Sequence, residues 1–157
     1  MSESDTQLRH AEAFRALHAR SGAFVIPNPW DAGTARLLAM AGFEALATTS
    51  AGFAYSKGLP DNAIDRDAML AHIAEIVAAG GLPVSADLEN GFGDAPQTVA
   101  ETIRLAAEAG AVSGASEDAN RRCRCADLSA RRSGRTHFGG RRSGACVAVS
   151  FYADRAL

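Results

Sequence analysis

A unit of strand, loop and helix repeats along this chain and limits the possible folds more strongly than any other feature of the sequence. Short apolar runs predict strands at residues 23–26, 43–49, 82–87 and 111–116. Apolar residues at helical spacing predict helices over residues 7–20, 32–41, 64–79 and 96–109. Strands that alternate with helices in this way predict parallel βα units.

Polar residues follow the predicted strands, whereas the turns after the helices are short and contain glycine. The polar positions after strands are Asn28, Thr49, Ser50, Asp61, Asp87, Glu89 and Glu117. Ligands bind at the carboxyl ends of the strands both in a (β/α)8 barrel and in a doubly wound sheet. The pattern therefore fits either fold and does not choose between them.

Asp87 and Glu89 end the third predicted strand, and a loop with two glycines follows them. Side chains alternate with a period of two along a strand, so an extended segment directs both carboxylates to the same side. Together with Glu117 at the end of the next strand, they form an oxygen-rich group suited to Mg²⁺. Solvated acids on loops are the alternative, and the spacing alone leaves both interpretations open.

Two glycine-containing segments are candidate ligand contacts. Residues 90–93, Asn-Gly-Phe-Gly, allow a tight turn, but their glycine spacing matches no nucleotide-binding motif. Residues 48–53, Thr-Thr-Ser-Ala-Gly-Phe, supply hydroxyl and backbone N–H groups for a carboxylate or an enolate oxygen. Ordinary loops are the alternative for both segments, and we predict a loop over residues 50–62.

Other polar and aromatic residues have simpler interpretations. His10, His18 and His72 fall in predicted helices, where we expect surface or helix-face positions. Trp30 is expected to pack at the end of the first strand.

The charge of the chain changes sign near residue 118. Residues 1–118 contain seven of the 16 basic and 16 of the 18 acidic residues, a balance of −9. Residues 119–157 contain the other nine basic and two acidic residues, a balance of +7, and all three cysteines. We therefore divide the chain into a domain at 1–118 and a tail at 119–157.

The hydropathy of the sequence predicts neither a membrane-spanning segment nor a signal peptide. No apolar stretch approaches the ~20 residues that span a bilayer, and the polar N-terminus lacks the apolar core of a signal peptide. We expect a cytoplasmic protein with no membrane partner.

Several motifs, in order along the chain, resemble the isocitrate lyase/phosphoenolpyruvate mutase superfamily. They are residues 25–33 (VIPNPWDAG), 47–53 (ATTSAGF), 58–61 (GLPD), 83–94 (PVSADLENGFGD) and 117–118 (ED). The resemblance covers residues 7–118 and implies the N-terminal half of a (β/α)8 TIM barrel, with about four βα units. It also implies Mg²⁺ and a small oxo- or hydroxycarboxylate substrate at the carboxyl ends of the strands.

The resemblance further implies roles for individual residues. Asp87 resembles the carboxylate that contacts the metal directly, and Asp61, Glu89 and Glu117 resemble acids that act on it through waters. The contacts of the pyruvyl carboxylate and oxygen would be Thr49, Ser50, Ala51 and Gly52. Asp61, Asp87 and Glu117 are then the expected catalytic residues, and Asp87, Glu89 and Glu117 the expected metal residues.

Members of this superfamily make or break C–C or P–C bonds beside a carboxylate through an enolate-like pyruvate species. Family lyases carry a Lys-Lys-Cys-Gly type loop after the fourth strand, and its cysteine serves as an acid. Residues 120–125 read Asn-Arg-Arg-Cys-Arg-Cys instead, so neither Cys123 nor Cys125 inherits that role. A phosphonomutase-like or C–C lyase-like member is therefore the better analogy.

The tail has two interpretations. Clustered arginines are typical of segments that bind nucleic acid or an acidic partner. A frameshift accounts for more, because permitted codons let the shifted frame of residues 134–141 read Val-Glu-Arg-Ile-Ser-Ala-Ala-Ala, a helical segment. The shifted frame of residues 145–156 can likewise resemble the fifth strand of the family. We therefore expect an irregular or disordered, out-of-frame tail with no specific nucleic-acid partner.

The sequence thus predicts a Mg²⁺-dependent lyase- or mutase-type protein, inactive if truncated after half a barrel. The alternatives are a noncatalytic fragment with an exposed strand edge and a binding protein that uses the basic tail. The family forms homo-oligomers by exchanging a C-terminal helix, which we do not find in this sequence.

Overall fold

The computed structural model of the chain describes residues 2–117 and residues 147–150. The helices are α1 Glu3–Ala19, α2 Ala32–Met40, α3 Ser50–Ser56, α4 Arg66–Gly80 and α5 Pro96–Glu108. The strands are β1 Leu46–Ala47, β2 Val84–Asp87, β3 Ser113–Ser116 and β4 Val147–Ser150. The rest of the tail, with Cys123 and Cys125, and the boundary at residue 118 lie outside the described residues.

The sheet has the order β1-β2-β3-β4. β1 pairs with β2 and β2 with β3 in parallel, with Ala47 opposite Ser85 and Asp87 opposite Ala115. These three strands confirm the predicted parallel βα units of a partial TIM barrel. β4 pairs with β3 in the antiparallel direction, and the sequence pattern predicted no strand at residues 147–150.

The predicted first strand, residues 23–26, does not form, so the parallel strands number three in the described residues. The next residues still follow β1, because the Ala47 N–H donates to the Pro27 carbonyl at 3.1 Å. Pro27 and Pro29 lack the N–H groups that a hydrogen-bonded ladder needs. The segment therefore lies along β1 without becoming a regular strand.

A helix replaces the loop that was predicted for residues 50–62. Thr49 is the N-cap of α3, and its hydroxyl oxygen accepts the N–H of Gly52 at 3.2 Å. A threonine in this position satisfies a donor that the first helical turn leaves unpaired. The loop prediction was therefore wrong at residues 50–56, where the cap and the tertiary contacts of Ser50 outweigh the Gly/Ser composition.

Helix α1 covers the amino ends of the strands. Its Phe14 and Leu17 pack with Ala45 and Val112, which directly precede β1 and β3. The side-chain amide of Gln7 donates to the carbonyls of residues 107 and 111, which fixes α1 near the end of α5. The carboxyl ends of the strands lie at the opposite edge of the sheet and stay available for a site.

Helix α4 contributes most of the remaining core. Met69, Ile73 and Ile76 are fully buried, as the helical spacing predicted. Gly81 ends the helix with φ +61°, a left-handed conformation that glycine adopts without steric cost. No helix in residues 2–117 is long and apolar enough to cross a membrane.

Candidate metal and carboxylate site

The carboxyl ends of the three parallel strands bring the predicted site residues to one edge of the sheet. Thr48 to Ser50 follow β1, Asp87 is the last residue of β2, and Glu117 follows β3. Because β2 lies between β1 and β3, Asp87 has polar neighbours on both sides. The sequence placed these residues at strand ends, and the parallel pairing brings the ends together.

The Asp87 carboxylate is held at both oxygens. Oδ2 accepts the backbone N–H of Ser50 at 2.8 Å and the Ser50 hydroxyl at 2.9 Å. Oδ1 accepts the N–H of Glu89 at 3.1 Å. The Asp87 N–H in turn donates to the Thr48 hydroxyl at 2.9 Å. Hydrogen bonds to an ionised carboxylate are short and strong, so this set fixes the direction of the side chain.

Glu117 shows the electrostatic effect of its neighbours. The residue is exposed overall, but partial burial of its carboxyl group raises its pKa, and the negative charges of Asp87 and Asp61 raise it further. Asp61 lies on an exposed loop, where its carboxylate accepts the N–H of Asn62 at 2.9 Å. Glu117 therefore interacts electrostatically with both of the other predicted catalytic acids, although Asp61 comes from a different loop.

Glu89 departs from the predicted extended geometry. Its φ is +46°, so the strand ends at Asp87 and the two-residue alternation does not continue through Glu89. Glu89 is only 3% exposed, and its carbonyl accepts the N–H of Glu117 at 2.6 Å. The expectation of an extended segment through Glu89 is wrong, and Glu89 instead forms a turn whose carbonyl ties the end of β2 to the end of β3.

The predicted carboxylate contacts lie at the start of α3. Ser50 and Gly52 are buried there, whereas Thr49 and Ala51 are half-buried. A Cβ at Gly52 would lie 2.5 Å from Nε1 of Trp30. The Trp30 indole therefore packs directly on Gly52, as a packing role for Trp30 predicted, while half of the side chain stays exposed.

The acidic residues fit a cation that keeps part of its water shell. Within residues 2–117, no three acidic, histidine or cysteine side chains already stand in a metal-ligating arrangement. Mg²⁺ usually retains several waters and takes only one or two protein carboxylates, so it does not require such a set. Burial raises the pKa of Glu117 most, but the negative charges of Asp87 and Asp61 add to the shift, and a cation would relieve that part of it.

Sequence reasoning named Asn28 and Thr48 as polar residues near strand ends but missed their structural contacts, and it missed the burial of His72. The Thr48 hydroxyl contacts the Asp87 backbone, and two-residue alternation from buried Leu46 could have placed it on the inner face. The Asn28 side chain binds the end of β1, and the proline after it was the available signal. His72 is 2% exposed, not a surface residue, and its spacing from Met69 and Ile76 marked it as core.

Comparison with known proteins agrees with this architecture. A family model described as phosphoenolpyruvate phosphomutase matches residues 14–136. The chain belongs to the PEP mutase/isocitrate lyase superfamily. The resemblance identified from the sequence motifs is thereby confirmed. The match continues past residue 118, so the proposed boundary between domain and tail stays a prediction.

Individual members of the superfamily show how much of a relative this chain spans. The structure of a Burkholderia cenocepacia protein described as a lyase/mutase is 85% identical, with a TM-score of 0.74, over 74% of this chain and 42% of that one. The 2-methylisocitrate lyase of Bacillus subtilis is 34% identical over 59% of this chain and 31% of its own length. A structure of oxaloacetate acetylhydrolase with its product oxalate is 28% identical, with a TM-score of 0.65, over 71% and 40% of the two chains. The chain thus spans less than half of each of these relatives.

Proposed function

We propose that the strand-end site binds Mg²⁺ together with a small oxo- or hydroxycarboxylate and serves C–C or P–C bond chemistry through a pyruvate-enolate type of species. The observation that carries this proposal is the position of Asp87 and Glu117 at the ends of paired strands, where Asp87 and Asp61 add to the effect of burial in raising the pKa of Glu117. Superfamily membership supplies the reaction class, since it includes C–C lyases and phosphomutases.

Asp87 would hold the ion directly, with Asp61, Glu89 and Glu117 acting through waters. When bound, Mg²⁺ supplies positive charge that polarises a carboxylate or oxo oxygen. The start of α3, residues 49–52, would receive the carboxylate of the substrate. Ser50 already donates both its backbone N–H and its hydroxyl to Asp87, so substrate contact by Ser50 stays a prediction.

The residues of this chain perform three tasks in that scheme. The strand-end hydrogen bonds hold Asp87 in one orientation, which avoids reorganisation when a ligand arrives. Glu117 carries a carboxyl group whose raised pKa lets it keep a proton at higher pH than an ordinary glutamic acid. Trp30 packs against Gly52 and shields one side of the turn that would receive the carboxylate.

Binding and turnover are separate proposals for this chain. The described residues supply candidate contacts for a metal and a carboxylate, while relatives devote more than half of their length to further structure. A noncatalytic protein that retains the binding step is therefore the second candidate, favoured by that coverage. The basic-tail alternative and family-type oligomerisation concern residues outside the described part and stay predictions.

The test is ligand-dependent thermal stability. Oxalate is a suitable probe because it is a compact dicarboxylate and the similar oxaloacetate acetylhydrolase binds it as product. A ligand at 100 times its Kd stabilises the folded state by about 2.7 kcal/mol. For a domain of this size we expect Mg²⁺ plus oxalate to raise Tm by roughly 5–10 °C.

The matched variants are Asp87→Asn and Asp67→Asn. Asp87→Asn removes one charge at the strand end and is expected to abolish the Tm increase. Asp67→Asn removes one charge from a side chain that is 91% exposed on α4, and the increase should persist. An equal increase in both variants, or none in the unmodified chain, would contradict the proposed site.

A further inference from the structure

The side chain of Asn28 replaces a hydrogen bond that the backbone cannot make. The Ala47 N–H donates to the Pro27 carbonyl at 3.1 Å, which sets Asn28 opposite Ala47 in a parallel register. In that register the N–H of residue 29 would donate to the Ala47 carbonyl, but residue 29 is proline. The Asn28 side-chain amide donates to that carbonyl instead, at 3.0 Å, and lies 3.4 Å from the Thr48 carbonyl.

The residues after Ala47 are the ones that hold Asp87. The Thr48 side chain is 3% exposed, and its hydroxyl accepts the Asp87 N–H. Two residues further on, Ser50 donates its backbone N–H and its hydroxyl to the same oxygen, Oδ2. Asn28 therefore fixes the end of β1 immediately before the two residues that orient Asp87.

We propose that Ser50 is a positioning residue for the Asp87 carboxylate and that Asn28 supports it by fixing the end of β1. Its relevance to a metal rests on the proposed function, in which Asp87 holds Mg²⁺. Ser50 then acts through Asp87 and does not need to touch the substrate. This role differs from the carboxylate contact that the sequence resemblance implies for Ser50.

Two donors from one residue make Ser50 hard to replace. A carboxylate group that is held by a single donor can still change its orientation. The backbone N–H and the hydroxyl of Ser50 both donate to Oδ2 of Asp87, and together they restrict the orientation of the group. Groups that orient a metal ligand typically change metal affinity by 10–100-fold when they are removed. We expect about tenfold for the Ser50 hydroxyl, because its backbone N–H remains in any variant.

The first measurement needs no metal. The amide proton of Ser50 is followed by NMR in the unmodified chain and in Asp87→Asn, which keeps the size of the side chain but removes its charge. An upfield shift of the Ser50 amide in Asp87→Asn is expected, because a hydrogen bond to a carboxylate is stronger than one to an amide oxygen. An unchanged resonance overturns the positioning role.

The second measurement is the affinity for Mn²⁺ with oxalate, read by electron paramagnetic resonance. Ser50→Ala is expected to lose about tenfold in affinity, Ser50→Thr to retain affinity, and Asn28→Ala to lose less than Ser50→Ala. Ser56→Ala is the matched control, because its hydroxyl lies in the same helix but donates to the Phe53 carbonyl at 2.7 Å. Unfolding midpoints of all four variants separate lost affinity from lost folding.

The two measurements distinguish the two proposals. Equal affinities of Ser50→Ala and Ser56→Ala, with a chain that binds Mn²⁺, overturn the positioning role of Ser50. A chain that binds no Mn²⁺ with oxalate overturns the proposed function, and the Ser50 amide resonance then decides the positioning role alone.

Discussion

Substituting His72 by phenylalanine tests whether a buried imidazole destabilises this fold. The His72 ring stacks on Phe53 with a centroid distance of 3.9 Å and an interplanar angle of 6°. Neither ring nitrogen makes a hydrogen bond within the described residues, and Nδ1 lies 3.8 Å from the Glu75 carboxylate, beyond hydrogen-bond distance. His72→Phe keeps an aromatic ring against Phe53 and removes both nitrogens.

The expected gain follows from the cost of an unpaired buried polar atom. That cost is about 1–3 kcal/mol, and its removal is the gain. The phenylalanine ring is slightly larger, and the crowding that it causes in a packed core reduces this gain. We therefore expect His72→Phe to raise the free energy of unfolding by about 1–2 kcal/mol at about pH 8.

The same substitution is expected to remove a pH dependence. Burial lowers the pKa of His72, with the Glu75 carboxylate opposing the shift and the Lys57 cation adding to it. Below the unfolded-state pKa of about 6.5, the unfolded chain binds a proton that the folded chain does not. Stability therefore falls as the pH drops, by at most about 1.4 kcal/mol per pH unit, and His72→Phe should lose this component.

Urea denaturation at about pH 8 and about pH 5.5 measures both effects, since an unchanged m-value shows that a midpoint shift reports stability. His18→Phe is the matched control, because the His18 Nδ1–H donates to the Phe14 carbonyl at 2.9 Å and its ring also contacts aromatic side chains. That variant should lose about 1 kcal/mol. A lower midpoint for His72→Phe at about pH 8, with m unchanged, would refute the reasoning.

Two further substitutions test local packing and hydrogen bonding. Asn28→Ala should lower the free energy of unfolding by about 1 kcal/mol. In a Pro29→Ala background the loss should be smaller, because the new backbone N–H of residue 29 can donate to the Ala47 carbonyl. Equal losses in the two backgrounds, measured by a double-mutant cycle, would show that the Asn28 side chain does not replace that backbone donor. Gly52→Ala places a Cβ 2.5 Å from Nε1 of Trp30 and should lower the free energy of unfolding by about 1–3 kcal/mol. The fluorescence of Trp30 should change as well. An unchanged unfolding midpoint would show that the indole can move away from the added methyl group.

Local rules were sufficient for the frame of this fold. The spacing of apolar residues placed α4 and α5, and glycines after the helices marked their ends. The alternation of predicted strands and helices then implied parallel pairing, which brings Asp87 and Glu117 to neighbouring strand ends. The position of these acids at strand ends could be predicted because it required only the identity of the strand ends, while their roles in a site stay predictions.

The predictions that failed depended on contacts between residues far apart in the sequence, or on local backbone conformations that the residue types did not reveal. Helix α3 looks like a Gly/Ser loop, and one of its supports is the bond between Ser50 and Asp87, 37 residues apart. The left-handed φ of Glu89 breaks an alternation that the residue types gave no reason to doubt. For His72 the helical spacing was correct, and its polarity misled the assignment of its environment.

The segment that lies beside β1 has a consequence for how this molecule meets other copies of itself. β4 covers the outer side of β3, so the segment around Pro27 and Pro29 forms the other border of the described sheet. A border strand with free N–H and carbonyl groups is a template for pairing with another chain, but the outward N–H and carbonyl of Ala47 are already bonded to the Pro27 carbonyl and the Asn28 side chain. The covering segment itself forms no regular strand, so it offers no ordered ladder to a second copy, although its Val25 side chain is 68% exposed.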